Sequence, residues 1–203
     1  MTQSMIHSFI RAIVFASLAL ALLLGSMAQA KDYQSVEWID LLPPEDLEAL
    51  SNPPSNLAGL TDEEASIDDF ASSVGQAIAN SVSPFEQEQS PYYQALSSAK
   101  VIESFNGKDV RIPGFIVPIE FDNDQRVTEF FLVPYFGACI HYPPPPPNQI
   151  IYTKYPKGIE LEALYDPFWI EGKITTSLLE NELATSAYAL DADDITIYQY
   201  EEE

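Results

Sequence analysis

The chain has 203 residues, 31 acidic and 9 basic side chains, 16 prolines, one cysteine and 46% apolar residues, so it is neither collagen-like nor wholly disordered. A net charge of −22 excludes a general nucleic-acid binder, because phosphate backbones demand a Lys- and Arg-rich surface. It excludes anionic phospholipid surfaces for the same reason.

Residues 1–30 read as a secretory signal peptide. Arg11 precedes the apolar run 12–24, and Gly25-Ser26-Met27-Ala28-Gln29-Ala30 follows, with Ala28 and Ala30 placed for a cut after Ala30. The run is shorter than the ~20 residues a spanning helix needs. With no longer apolar run downstream, the expectation is a periplasmic protein with no integral membrane segment after cleavage.

Residues 31–97 carry thirteen acids and a single basic residue, Lys31, with Pro43-Pro44, Pro53-Pro54, Pro84 and Pro91. Such composition buries too little apolar surface to offset chain entropy, and it predicts a flexible acidic arm or linker. Two pieces depart from that. Trp38-Ile39-Asp40-Leu41-Leu42 before Pro43-Pro44 is a docking element, near residues 38–44, for its own domain or for a partner. Thr61-Asp62-Glu63-Glu64 has the cap and acidic first turn of a short helix running toward Ala79.

Residues 98–203 carry the period of strands and form the second expected domain. Residues 109–121 are apolar on both faces and interrupted by Pro113, Gly114 and Pro118, which predicts one long, bent, bulged strand. Asp122-Asn123-Asp124-Gln125 is a polar turn leading to a second strand over 127–133. Further strands are expected over 149–155 and 168–176, then a last hairpin through 187–190 and 195–198 with Asp191, Asp193 and Asp194 in its turn. The fold class that follows is an all-β core, a small, partly open OB-like barrel of 5–6 strands.

The most unusual stretch is Pro134-Tyr135-Phe136-Gly137-Ala138-Cys139-Ile140-His141-Tyr142, followed by five prolines, Pro143, Pro144, Pro145, Pro146 and Pro147, then Asn148-Gln149. With Gly114-Phe115-Ile116-Val117-Pro118-Ile119-Glu120 upstream, this resembles the domain-of-unknown-function family 3299 of bacterial envelope proteins. The resemblance covers residues 99–200 and the element at 38–44. It implies an exported protein encoded beside an ABC transporter of the macrolide-exporter type, in gene sets associated with zinc limitation. It carries over no enzymatic activity.

Cys139 is the only thiol and can form no internal disulfide. Three readings stay open for it: a buried small hydrophobe, a zinc ligand paired with His141 at i, i+2, or a redox or intermolecular thiol. The proline run predicts a polyproline II rod. It serves either as a stiff connection or as a docking ridge flanked by Tyr135, Phe136, Tyr142, Tyr152 and Tyr155. Trp38 and Asn148 join that ridge as candidate partner contacts. The acidic tail Glu201–Glu203 reads as solubilising.

No nucleophile elbow, H-E-x-x-H, P-loop or dinucleotide fingerprint is present in the sequence. The expectation is a non-enzymatic binding or accessory protein for an ABC-type transport system or another envelope protein, with zinc as the possible cofactor. An interaction module without metal is the alternative. An enzyme using Cys139 with His141 as base ranks last, because no third orienting group is identifiable.

Overall fold

The computed structural model describes residues 31–54, 90–138 and 145–199. The leader expected over 1–30, the helix expected over 61–79 and the tail Glu201–Glu203 lie outside the described residues. The chain divides between Asp32 and Tyr33, and the second unit, Tyr33–Glu203, holds the barrel.

The described residues form six strands: β1 (Gln34–Ser35), β2 (Asp109–Phe121), β3 (Val127–Val133), β4 (Ile151–Ile159), β5 (Pro167–Glu180) and β6 (Thr185–Ile197). The sheet runs β1-β2-β3-β4-β6-β5, and an added β2–β5 pairing closes the five long strands into a ring. All ring pairings are antiparallel except β4–β6, which is parallel. The expected OB-like connectivity is present, and the ring is closed where a partly open barrel was expected.

Closure depends on β2 serving two neighbours. Residues Asp109–Phe115 pair with β5 while Phe115–Phe121 pair with β3. The strand bends between those duties at Gly114, where an added Cβ would lie 2.8 Å from both the Val133 carbonyl oxygen and Leu132 Cδ1. The bulge expected at Pro118 appears as a register shift between Pro118 and Glu120. The turn into β3 is an Asx turn: Asp122 Oδ1 accepts from the Asp124 and Arg126 amides, both at 2.9 Å.

The expected final hairpin is corrected to one strand. β6 runs unbroken through Asp191, Asp193 and Asp194, because β5 offers partners along its whole length, from Phe168↔Ile197 to Glu180↔Thr185. The acidic residues are exposed on the strand, and the register skips Asp193 as a bulge. Backbone pairing outweighs the weak strand propensity of Asp there.

The expected arm is also corrected, for its described residues. Tyr33–Pro54 and residues 90–97 belong to the barrel unit, so that unit begins at Tyr33, well before residue 98. β1 pairs in parallel with β2 (Gln34↔Val110). Val36 and Leu41 are in the core, and Trp38–Leu41 form a 3₁₀ turn. Two short helices follow, α1 (Pro44–Leu50) and α2 (Pro91–Ala95), each started by a proline at its first position. A few apolar anchors outweigh the polar average of the segment.

Candidate functional site

β3 is buried on both sides: Phe130, Phe131, Leu132 and Val133 are all fully buried. Alternation sends Phe130 and Leu132 into the barrel and Phe131 and Val133 outward. Outward apolar residues on a barrel strand need a cover. Here Phe131, Val133, Ala138 and Ile150 form a second cluster, against which Phe115, Val117, Tyr135, Tyr152 and Ala184 pack. The described flanks of the motif, Tyr135, Ala138 and Ile150, and Ala184 of the β5–β6 hairpin therefore cover the outer face of β2–β3–β4.

The loop is held at both ends. On one side Gly137 takes φ 78°, Ala138 is fully buried, and its amide donates to the Tyr135 carbonyl at 3.4 Å. On the other side Pro145 and Pro146 are buried and Pro147–Gln149 make a 3₁₀ turn. Cys139, His141, Tyr142, Pro143 and Pro144 lie outside the described residues, between these two posts. Among the described residues no group of three or more His, Cys, Asp and Glu side chains is placed to share a metal ion.

The structure corrects the role of Asn148, Pro145 and Pro146 as partner contacts, because all three are buried. Asn148 is fully buried, and its Nδ2 donates to Asp46 Oδ2 and to the Lys100 carbonyl, both at 3.1 Å. Its backbone amide donates to the Ser98 carbonyl at 3.3 Å. Asp46 is only 4% exposed, and Lys100 Nζ stands 3.6 Å from its Oδ1. The next residue, Gln149, donates to the Trp38 carbonyl at 2.9 Å. Trp38 Nε1 in turn donates to the Pro113 carbonyl at 2.6 Å, at the bend of β2.

Trp38 and Asn148, far apart in sequence, are thus brought to one junction inside the fold. The docking element docks on its own barrel. Tyr188 completes the attachment: its hydroxyl donates to the Leu41 carbonyl at 3.1 Å and accepts from the Ile102 amide at 2.7 Å. Burial pushes its pKa up.

Of the aromatic ridge, Phe136 is 51% exposed, with its ring 6.3 Å from that of Phe115, while Tyr135 is half-buried and Tyr155 lies in the core. Tyr152 faces outward and donates a short hydrogen bond to Glu129 Oε2. Desolvation first, then that bond and the charges of Glu129 and Glu120, push its pKa to about 12. Lys154 Nζ lies 5.7 Å from the Tyr152 ring centroid.

Beside these residues a cleft of about 370 Å³ opens between β3–β4, β6 and the end of β5. Reading the sequence alone missed Asp46, Lys154, Glu180 and Asp191, since each is an ordinary surface-type residue until strand pairing and loop docking give it neighbours. The only advance signal was the apolar run Phe130–Val133, which requires cover on both faces. Among the described residues no helix is long and apolar enough to cross a membrane.

No curated protein matches the chain. A family model described as a protein of unknown function (DUF3299) matches residues 38–197. A solved DUF3299 family protein from Pseudomonas aeruginosa matches with a TM-score of 0.60 and 34% sequence identity, over 85% of this chain and 100% of that one. The family match begins at Trp38, the residue that anchors the N-terminal segment to the barrel, and ends with β6 at Ile197: the chain belongs to the DUF3299 family.

Proposed function

We propose that the protein is a non-enzymatic binding protein of the cell envelope, exported by its N-terminal leader and accessory to an ABC-type transport system. The observation that carries this reading is the pair of described flanks of the motif, Ala138 on one side and Pro145 and Pro146 on the other, all buried, with Ala138 packed in the apolar cluster on the outer face of β3. That face, formed by the second and third barrel strands and bordered by the β5–β6 hairpin, is the one an OB-type barrel uses for binding.

Zinc is the first ligand to test. Cys139 and His141 supply a thiolate and an imidazole, both suited to the ion in donor type, and carboxylate or water would complete the set. Calorimetry with zinc on the purified protein should show low-micromolar binding that is lost in Cys139→Ser and in His141→Ala. A wild type that takes up no zinc, or variants that bind as well, would refute the metal reading.

One observation favours a second reading, docking of an envelope protein through the same loop: Phe136 is half-exposed beside Tyr135, next to a covered apolar face. Phe136→Ala should then abolish co-purification with the transporter component while leaving zinc uptake unchanged.

A further inference from the structure

The end of the barrel opposite the motif carries apolar side chains that the fold leaves exposed. β4, about 26 Å long, starts on the motif side and finishes at that far end together with β6, which runs parallel to it. In the ring β6 lies between β4 and β5, so the connection over 160–166 passes the C-terminal end of β6 to reach Pro167. The backbone holds the two together: Phe168 and Ile197 are register partners, and the Tyr198 amide donates to the Pro167 carbonyl at 2.9 Å. Leu161 anchors the connection on the core, and Trp169 stacks on Tyr198 with ring centroids 5.2 Å apart. Above these anchors Leu164 is 53%, Tyr165 68% and Ile197 63% exposed. One exposed leucine is ordinary surface. Three large apolar side chains brought to one end by strand order form a patch, and such patches with a polar rim mark contact sites.

The rim has one sign. Glu160, Glu162 and Asp166 share the connection with Leu164 and Tyr165, and that connection contains no basic residue. Among the described residues none of the three carboxylates has an ion-pair partner. The cations at the end of β4 are engaged with backbone: Arg126 donates to the Gly158 carbonyl, and Lys157 Nζ to the Asp193 carbonyl at 2.5 Å. This charge selects the occupant. A second copy would bring the same carboxylates against the rim, and an anionic bilayer or a nucleic acid is repelled by the chain's charge of −22. An apolar surface bordered by lysine or arginine matches both the centre and the rim.

We propose that this end of the barrel docks a cationic amphipathic segment of a partner protein, its apolar face on Leu164, Tyr165 and Ile197 and its basic side chains beside Glu160, Glu162 and Asp166. The surface lies a strand's length from the motif loop, so the inference is independent of Cys139, His141, Phe136 and zinc.

Titration of the purified protein with a synthetic helix of leucine and lysine, about 14 residues long with its leucines on one face, tests it by nuclear magnetic resonance and calorimetry. The peptide should bind saturably with a dissociation constant of about 100 μM or below, and its shifts should centre on the amides over 160–168 and 195–198. Raising salt from about 50 mM to about 500 mM should weaken binding about tenfold or more. Two double variants, Leu164→Ser with Tyr165→Ser and Glu160→Gln with Glu162→Gln, should each bind about tenfold more weakly or worse at an unchanged melting temperature. Glu180→Gln with Glu182→Gln removes as much charge from the β5–β6 hairpin at the motif end and should bind as wild type does. A scrambled peptide of the same composition binding equally, an equal loss in the hairpin variant, or shifts centred elsewhere would reduce the effect to net charge and overturn the proposal. No saturable binding, or binding unchanged in both patch variants, would overturn it as well. Dimerisation through the patch, or uptake by neutral phosphatidylcholine vesicles in place of the peptide, would assign the surface to another occupant and do the same.

Discussion

Asn148→Ala should be among the most damaging single changes available in this protein, although the residue follows a run of prolines and looks like part of a surface loop. The substitution removes two hydrogen bonds from Nδ2, one to the Asp46 carboxylate and one to the Lys100 carbonyl, both at 3.1 Å. A bond to a charged acceptor contributes about 1.5–3 kcal/mol and a neutral one about 1 kcal/mol. Loss of the unpartnered, buried Asn148 Oδ1 offsets a part of this, leaving a net cost of about 2–3 kcal/mol. Asp46 would keep only Lys100 at 3.6 Å, and that lysine side chain is 60% exposed, so the ion pair compensates little. For a domain of this size each kcal/mol moves the unfolding midpoint by about 2–4 °C, so a drop of about 4–12 °C is expected in thermal unfolding followed by circular dichroism. The double variant with Asp46→Ala should lose far less than the sum of the two single losses, because both report the same bond. A midpoint within about 2 °C of wild type, or additive losses, would refute the reasoning.

Leu41→Ala should cost about 2–5 kcal/mol, the value for a buried leucine, because Leu41 is fully enclosed in the barrel core; denaturant titration showing under about 1 kcal/mol would return residues 33–42 to the status of an arm. Gly114→Ala should cost about 1–3 kcal/mol by forcing a Cβ to within 2.8 Å of the Val133 carbonyl, and an unchanged denaturation midpoint would mean that β2 does not bend as described. The Tyr152 pKa of about 12 lies above its ordinary 10.0, so its contribution to stability is complete below pH 10 and is lost as pH rises toward 12. Ultraviolet titration should show a late-ionising phenol in the wild type, in addition to the buried Tyr188 and the half-buried Tyr92, that is missing in Tyr152→Phe and titrates earlier in Glu129→Gln. Coincident curves for wild type and Tyr152→Phe above pH 10 would remove the assignment.

The elements whose neighbours lie close in the chain were legible in the sequence. The bend of β2 follows from Gly114 and its flanking prolines, the β2–β3 turn from Asp122, and β3 from its apolar residues, each a local preference that the fold keeps. The OB-like connectivity follows from the number and spacing of such strands. Family membership was legible in the loop motif, because that string is long and compositionally odd.

What only the tertiary structure decided concerns contacts between residues distant in the chain. Composition made residues 31–97 an arm, yet Trp38, Leu41 and Asp46 attach the described N-terminal part to Pro113, Tyr188 and Asn148, partners that lie tens of residues or more away. An average over a segment cannot show that three or four of its side chains have a place to be buried. β6 runs through its aspartates for a related reason: strand pairing with β5 supplies hydrogen bonds that local propensity does not anticipate. The cleft is wholly a tertiary product, since Lys154, Glu180 and Asp191 come from three strands and acquire a shared space only when the barrel closes. Local conformational preference is written residue by residue, whereas burial and charge placement depend on which distant strand arrives alongside.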